Sequence, residues 1–171
     1  EDGVPPFIAL GQGEGSRYHI TGLTHGESGF YSSNPQVVDQ FIRRLSSKIE
    51  DHVDEIAEVE ECYTEDAEIL LVAYGCSARA SRAAVEKLRA QGQKVGLLRL
   101  LTLWPFPDKL VAKHCAGKKA VIMPELNLGQ MVREVQRVCP SDVPVKSFTK
   151  IDGSLFTPEE IINFMKKGGC L

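Results

Sequence analysis

Four apolar runs alternate with segments of helical periodicity in the part of the chain after residue 68. The runs cover residues 69–74, 95–101, 120–123 and 143–148, and they carry apolar side chains at successive positions. A strand that is apolar at every position is buried on both faces, as strands are in the parallel sheets of α/β domains. The pattern therefore predicts four strands of a mostly parallel sheet.

A helix is predicted after each of these strands. Residues 77–90, 108–115 and 128–138 repeat apolar positions at a spacing of three and four, and Thr157 with Pro158 marks the start of the last helix. With right-handed crossovers, this order predicts a three-layer α/β/α domain. A fifth strand is predicted at residues 18–23, with its direction left open, so the fold class is α/β with a mixed sheet of about five strands.

The preceding part of the chain is predicted to consist of two other segments. Residues 1–34 are rich in Gly, Pro, Ser and His and are interpreted as an extended segment that belongs to a preceding domain. Residues 35–56 repeat apolar positions on one stripe, which predicts a single amphipathic helix of more than 20 residues with Asn34 as its cap. The predicted organisation is thus an extended segment at 1–34, a connecting helix with an acidic linker at 35–66, and an α/β domain at 67–171.

Charge is distributed unevenly along the chain. Ten carboxylates and no Lys or Arg lie between residues 50 and 68, whereas the rest of the chain has 13 acidic and 20 basic residues. Two interpretations of this acidic block stay open: a solvated linker, or a docking surface for a basic partner. The net charge of −3 and the absence of a basic stripe with interleaved aromatics argue against nucleic-acid binding.

The cysteines and the hydropathy pattern exclude several other classes of protein. The five cysteines are widely separated and form no Cys-x-x-Cys pair, which argues against a zinc site, an iron–sulfur cluster and a disulfide framework. No apolar run approaches the roughly 18 to 20 residues that a membrane span needs. A reducing cytoplasm is therefore the predicted location.

Candidate functional residues follow the predicted strands. Ligands and partners of open α/β sheets bind outside the carboxyl ends of the strands, so the turns after them are where a site is expected. The side chains selected there as interface candidates are Ser77, Trp104, Glu125, Asn127 and Gln130. Trp104 and Phe106 form an aromatic pair of the kind enriched at protein interfaces, and this edge is predicted to face a partner.

Alternatives remain open for two of these turns. Gly75-Cys76-Ser77 could hold an anion on its free backbone N–H groups, or could be a plain helix start in a tight turn. It lacks the glycine spacing of a dinucleotide-binding loop. Glu125 and Asn127 could be functional, or could cap the helix that follows them.

Several motifs in order along the chain resemble those of one enzyme family. They are residues 17–25, the helix with Arg43-Arg44-Leu45 and Lys48, Ala73-Tyr74-Gly75-Cys76-Ser77, Pro105-Phe106-Pro107, Glu125-x-Asn127-x-Gly129-Gln130, and Asp152-Gly153 before Phe156-Thr157-Pro158-Glu159-Glu160-Ile161. Together they resemble the C-terminal part of the α subunit of 2-oxoacid:ferredoxin oxidoreductases. That part has a fold like the C-terminal domain of transketolase.

The resemblance implies a function for the whole enzyme rather than for this domain alone. The family uses thiamine diphosphate, magnesium and iron–sulfur clusters to decarboxylate a 2-oxoacid such as 2-oxoglutarate, reduces ferredoxin and forms an acyl-CoA. These cofactors are implied to lie in other parts of the enzyme, so no residue here is expected to be catalytic, cofactor-binding or metal-ligating. The implied partners are the other domains and subunits, with ferredoxin and coenzyme A as substrates, and the implied role of this domain is assembly and support. The alternative is a free-standing flavodoxin-like module that binds a ligand or a protein without catalysis.

Overall fold

The computed structural model describes Ala9, Gly11 and residues 22–171, which fall into two compact units at residues 1–51 and 52–171. In the first unit, a loop closed by a bridge between His25 and Tyr31 precedes helix α1, Pro35–Glu50. Asn34 begins the helix as predicted, because its side chain accepts hydrogen bonds from the backbone N–H groups of Gln36 and Val37. None of the described helices is long and apolar enough to cross a membrane.

The predicted single helix over residues 35–56 is wrong in its length. Helix α1 ends at Glu50, and a separate short helix, α2, covers Val53–Ile56. Charge explains the break, because carboxylates are unfavourable near the negative end of the helix dipole and favourable near the positive end. Glu50 and Asp51 lie at the end of α1, whereas Asp54 and Glu55 lie in the first turn of α2.

The second unit is built on a five-stranded sheet in the order β1-β3-β2-β4-β5. The strands are β1 Val59–Cys62, β2 Ile69–Tyr74, β3 Val95–Leu100, β4 Ala120–Glu125 and β5 Val145–Thr149. Strands β2 to β5 are parallel, and β1 pairs with β3 in the antiparallel direction. The predicted mostly parallel, mixed sheet of about five strands is confirmed.

Four helices cover the two faces of this sheet. They are α3 Gly75–Ala90, α4 Asp108–Cys115, α5 Met131–Val138 and α6 Pro158–Lys167. Helices α3 and α6 pack together over one hydrophobic cluster, and α4 and α5 lie over the other. Within the sheet, β2 and β4 carry fully buried side chains on both faces, including Leu70, Leu71 and Ile122. The predicted three-layer α/β/α fold is therefore confirmed.

The fifth strand of the sheet is not the predicted one. Residues 18–21 of the predicted strand lie outside the described residues, and Gly22 and Leu23 form a bend. The observed edge strand β1 lies instead within the acidic block. Charged side chains on edge strands are common because they discourage pairing with another chain, and they remove the apolar alternation by which a strand is recognised in sequence.

Ion pairs connect the acidic block to the basic surface of the same unit. Arg82 and Arg99 both bind the carboxylate of Glu60 and hold its pKa below the usual range. Arg89 Nη1 donates to Asp66 Oδ2 over 2.8 Å. Further pairs are Asp54 with Lys109 and Glu68 with Lys94 and Lys119. A good part of the block therefore contacts cations of its own domain, which differs from both a solvated linker and a free docking surface.

Candidate functional site

The sheet has a topological switch point between β2 and β4. The chain passes from β2 to β3 on one side and then to β4 on the other side of β2. Pairing of β2 with β4 covers only three positions, from Ile69 with Ala120 to Leu71 with Ile122. In β4, the backbone N–H of Val121 and the backbone carbonyl of Glu125 form hydrogen bonds on the side of β5. Backbone groups of successive residues in a strand point to opposite sides, so those of Ile122 and Pro124 point toward β2.

Pro124 explains why this pairing ends early. Proline has no backbone N–H, so at position 124 it cannot donate a hydrogen bond to β2. Past Ile122, β4 still pairs with β5 as far as Glu125, but its ladder with β2 is finished. Such a crevice at the carboxyl ends of parallel strands is where α/β domains place their sites.

Glu125 lies at the end of β4 and is only 1% exposed. Its Oε1 accepts a hydrogen bond from Val132 N, and its Oε2 accepts one from Met131 N, both over 2.9 Å. Tyr74 Oη and Asn127 Nδ2 also donate to Oε2, over 3.3 and 3.0 Å. The carboxylate therefore lies at the positive end of α5, where backbone N–H groups and the helix dipole stabilise a negative charge.

Asn127 fixes the loop between Glu125 and α5. Its Oδ1 accepts hydrogen bonds from Gly129 N over 2.7 Å and Gln130 N over 3.0 Å. Its Nδ2 also donates to Tyr74 Oη over 2.7 Å, so the end of β2 is connected to the same loop. Of the two interpretations of Glu125 and Asn127, the contacts support capping of the next helix.

Tyr74 completes this polar cluster. Burial, and then the nearby Glu125 carboxylate, raise the pKa of the Tyr74 hydroxyl because both disfavour a second negative charge there. Its role was not found from the sequence, since Tyr74 is read there as the last position of an apolar strand. The sequence did contain one indication of this role: Tyr74 carries a hydroxyl group and is the last residue of a strand that is otherwise apolar.

The five predicted interface residues differ in accessibility. Ser77 is buried in α3, where its carbonyl oxygen accepts a hydrogen bond from Ser81 Oγ over 2.9 Å. Glu125 is buried and Asn127 is half-buried, and these two lie in one cluster. Trp104 and Gln130 are exposed on the same edge of the sheet.

Large apolar side chains are exposed in the segments that follow β3, β4 and β5. Trp104 is 69% exposed, Leu128 is 74% exposed and Ile151 is 68% exposed, and Leu101 and Leu155 are also exposed. These five residues are called the apolar rim below. Because the three strands are parallel, the segments that follow them lie at the same end of the sheet as Tyr74 and Glu125.

Comparison with known proteins gives the family of this domain. Residues 67–161, more than half of the chain, match the family model described as "Pyruvate:ferredoxin oxidoreductase core domain II".

The chain belongs to this family.

Curated relatives of this family member support the resemblance seen in its sequence. It is 41% identical over 168 residues to 2-oxoglutarate synthase subunit KorA of Methanothermobacter thermautotrophicus, covering 98% of this chain and 44% of the relative. It is 46% identical over 149 residues to the same subunit of Methanocaldococcus jannaschii, covering 87% of this chain and 40% of the relative. The chain thus spans less than half the length of these relatives.

Solved structures agree with the observed fold. The match to "2-oxoglutarate:ferredoxin oxidoreductase from Magnetococcus marinus with 2-oxoglutarate, coenzyme A and succinyl-CoA bound" has a TM-score of 0.77 and 28% identity, over 95% of this chain and 28% of that chain. A split-gene transketolase matches with a TM-score of 0.52 and 17% identity, over 64% of this chain and 40% of that chain, which supports the transketolase-like fold alone. The predicted family and fold are confirmed.

The described residues do not fit the metal cofactors implied by the family. Among them, no group of three or more His, Cys, Asp or Glu side chains lies together in a way that could hold a metal ion. The five cysteines differ in exposure: Cys76 is exposed, Cys115 is buried, and the other three are half-buried. An iron–sulfur cluster needs several thiolates that converge on one point, and the described cysteines do not supply such an arrangement.

We expect the thiols to react at very different rates. Burial, and then the neighbouring Cys139, raise the pKa of Cys115 well above that of a free thiol. At pH 8, iodoacetamide should therefore alkylate Cys76 rapidly and Cys115 slowly, by a factor of about 100 or more. Peptide mass spectrometry over time measures both rates, and in urea the two should become similar. Equal rates in the folded protein would contradict the buried position of Cys115.

Proposed function

We propose that the chain is a domain of the α subunit of a 2-oxoglutarate:ferredoxin oxidoreductase. The observation that carries this proposal is the 41% identity to a 2-oxoglutarate synthase subunit over 98% of the chain. The whole enzyme would decarboxylate the 2-oxoacid oxidatively, form an acyl-CoA and reduce ferredoxin. Thiamine diphosphate, magnesium and iron–sulfur clusters would be held outside the described residues, and the cytoplasm is the location that fits the unpaired cysteines.

A second substrate class is supported by one further comparison. The chain is 39% identical over 108 residues, 63% of its length, to ketoisovalerate oxidoreductase subunit VorB of Methanothermobacter marburgensis. Purified whole enzyme should be assayed for ferredoxin reduction with 2-oxoglutarate and with 2-oxoisovalerate. We expect kcat/KM to favour 2-oxoglutarate at least tenfold, and a preference for the branched substrate would transfer the proposal to the second class. Failure to reduce ferredoxin with any 2-oxoacid would reject both and favour a free-standing module.

We infer that the role of this domain is assembly, with the apolar rim as the contact surface. Trp104 and Leu128 are too exposed to stabilise the domain itself, and a partner that covered them would remove their apolar surface from water, which is favourable. Tryptophan is also enriched among the residues that dominate binding energy. In this proposal Gln130 contacts a partner at the polar margin, Glu125 and Asn127 hold the loop before α5 in place, and Ser77 stays buried within α3.

Replacement of Trp104 by alanine tests this role. We expect association with the partner subunit to weaken by about 1 to 3 kcal/mol, because a buried aromatic contact would be lost. The stability of the chain itself should change by less than about 0.5 kcal/mol, since the indole is mostly exposed. Sedimentation of the whole enzyme measures the first quantity, and urea unfolding of the chain measures the second.

Leu171→Ala provides a matched control for this experiment. Leu171 is also an exposed apolar residue, but it follows Gly168, whose carbonyl oxygen accepts a hydrogen bond from Lys146 Nζ near the start of β5. It therefore lies at the opposite edge of the sheet from the rim. Equal effects of the two substitutions on association, or a large loss of stability in Trp104→Ala alone, would reject the assembly role of the rim.

A further inference from the structure

Three guanidinium groups line one open cavity beside the start of α3. Arg79 and Arg82 come from the first two turns of α3, and Arg99 comes from the neighbouring strand β3. The cavity has a volume of about 630 Å³, and Gly75 and Cys76 at the start of α3 also line it.

Positive charge in this cavity exceeds negative charge. Glu60 is the one carboxylate among its lining residues, and it already binds both Arg82 and Arg99, the latter over 3.0 Å. Arg79 makes no hydrogen bond or ion pair within the part of the chain that the structure describes. The side chains that line the cavity therefore carry three guanidinium charges against one carboxylate charge.

The backbone at the start of α3 adds further donors. Tyr74 precedes this helix without a side-chain hydrogen bond to its first N–H groups, as His52 and Pro107 precede α2 and α4. Gly75 has φ +54°, and no atom in the described part of the chain lies within 4 Å of the position of a Cβ atom, so a ligand could approach its backbone closely. The unfilled N–H groups of a helix start favour a negative charge, as does the helix dipole.

We propose that this cavity binds an anion that bears a phosphate or diphosphate group. A guanidinium binds two oxygens of one phosphate in a planar fork, and a tetrahedral phosphate has enough oxygens to bind several such groups at once. Ala78 supplies an apolar part of the wall, where the organic portion of a phosphate ester could pack, and Leu155 of the apolar rim lies at the margin of the cavity. The proposal depends only on these residues and is independent of the proposed enzyme activity.

Calorimetric titration of the chain at low salt tests this site with inorganic pyrophosphate, with adenosine diphosphate and with malonate. We expect pyrophosphate to bind with a Kd of about 1 mM or lower, and malonate, a dicarboxylate, to bind at least tenfold more weakly. Tighter binding of adenosine diphosphate than of pyrophosphate would identify a phosphate ester as the natural ligand. Equal binding would identify the inorganic anion. Either result supports the shared chemistry.

Arg79→Gln and Arg133→Gln separate the site from general attraction by a basic surface. Arg133 is a similarly exposed arginine, but it lies on α5 at the other face of the sheet. We expect Arg79→Gln to weaken pyrophosphate binding about tenfold or more, the loss typical of a hydrogen bond to a charged group, and Arg133→Gln to leave it unchanged. Bound pyrophosphate should also slow alkylation of Cys76 in the cavity wall. Equal effects of the two substitutions, no binding at 10 mM pyrophosphate (~ten times the expected Kd), or equal affinity for malonate would overturn the proposal.

Discussion

Replacement of Gly96 by alanine is expected to destabilise the domain by about 3 kcal/mol, because a side chain would overlap backbone atoms that cannot move away. Gly96 lies in β3, and a Cβ atom there would be 2.5 Å from Tyr63 O and 2.9 Å from Ala67 Cβ. Arg89 Nη2 donates to Tyr63 O over 2.8 Å, and Lys118 Nζ donates to the carbonyl oxygen of Ala67 over 2.7 Å. These bonds fix the segment against which the new methyl group would press.

Urea unfolding followed by circular dichroism measures this loss directly. Gly22→Ala is a suitable control, because no atom of the described residues lies within 4 Å of its Cβ position and its backbone is not left-handed. We expect that control to change stability by less than about 0.5 kcal/mol. If Gly96→Ala were as stable as the control, the close approach of the Tyr63 segment to β3 would be wrong.

Replacement of Glu125 by alanine should cost the domain about 3 kcal/mol. The substitution removes the acceptor for two N–H groups at the start of α5 and for the Tyr74 hydroxyl, and it leaves one buried donor, Val132 N, and two part-buried donors without this partner. Glu125→Gln keeps one acceptor oxygen and the side-chain volume, so a smaller loss is expected. Thermal and urea unfolding of both variants measure the difference in the free energy of unfolding.

Glu134→Ala is the control for removal of a carboxylate from the same region. Glu134 lies in α5 and pairs with Arg137, but its side chain is 43% exposed, so solvent screens the interaction. We expect this substitution to change stability by no more than about 0.5 to 1 kcal/mol. A Glu125→Ala variant that kept full stability but lost its partner subunit would show that the carboxylate acts across an interface and not as a helix cap.

The positions of the inner strands could be predicted from the sequence because most of their side chains are apolar. Strand β2 agrees with the predicted range at both ends, and β3 agrees to within one residue. Apart from Arg99 in β3, their side chains are apolar or aromatic or absent, as burial on both faces of a sheet requires. Prediction failed at β1, where two of the four residues are glutamates, one of which is held by Arg82 and Arg99 from distant parts of the chain.

Prediction of the site was similarly uneven. Position after a strand was enough to select Glu125, Asn127 and Trp104, because chain direction alone places them at one edge of the sheet. The hydrogen bond from Tyr74 to Glu125 depends on the register in which β2 pairs with β4, and this register cannot be read from the sequence. Leu128 and Ile151 were not selected, since a single apolar residue in a loop has no periodicity that marks it as exposed or buried.

The position of β1 has a practical consequence for how this domain can be produced in isolation. Strand β1 covers the outer edge of β3, and all four of its residues take part in that pairing. A fragment that starts at residue 67 would lack β1 and would leave the backbone groups of β3 free along one side. An unpaired edge of that kind is a template for addition of a strand from another molecule, which leads to aggregation. Expression of the domain alone should therefore begin at or before His52, so that the acidic strand can close the sheet.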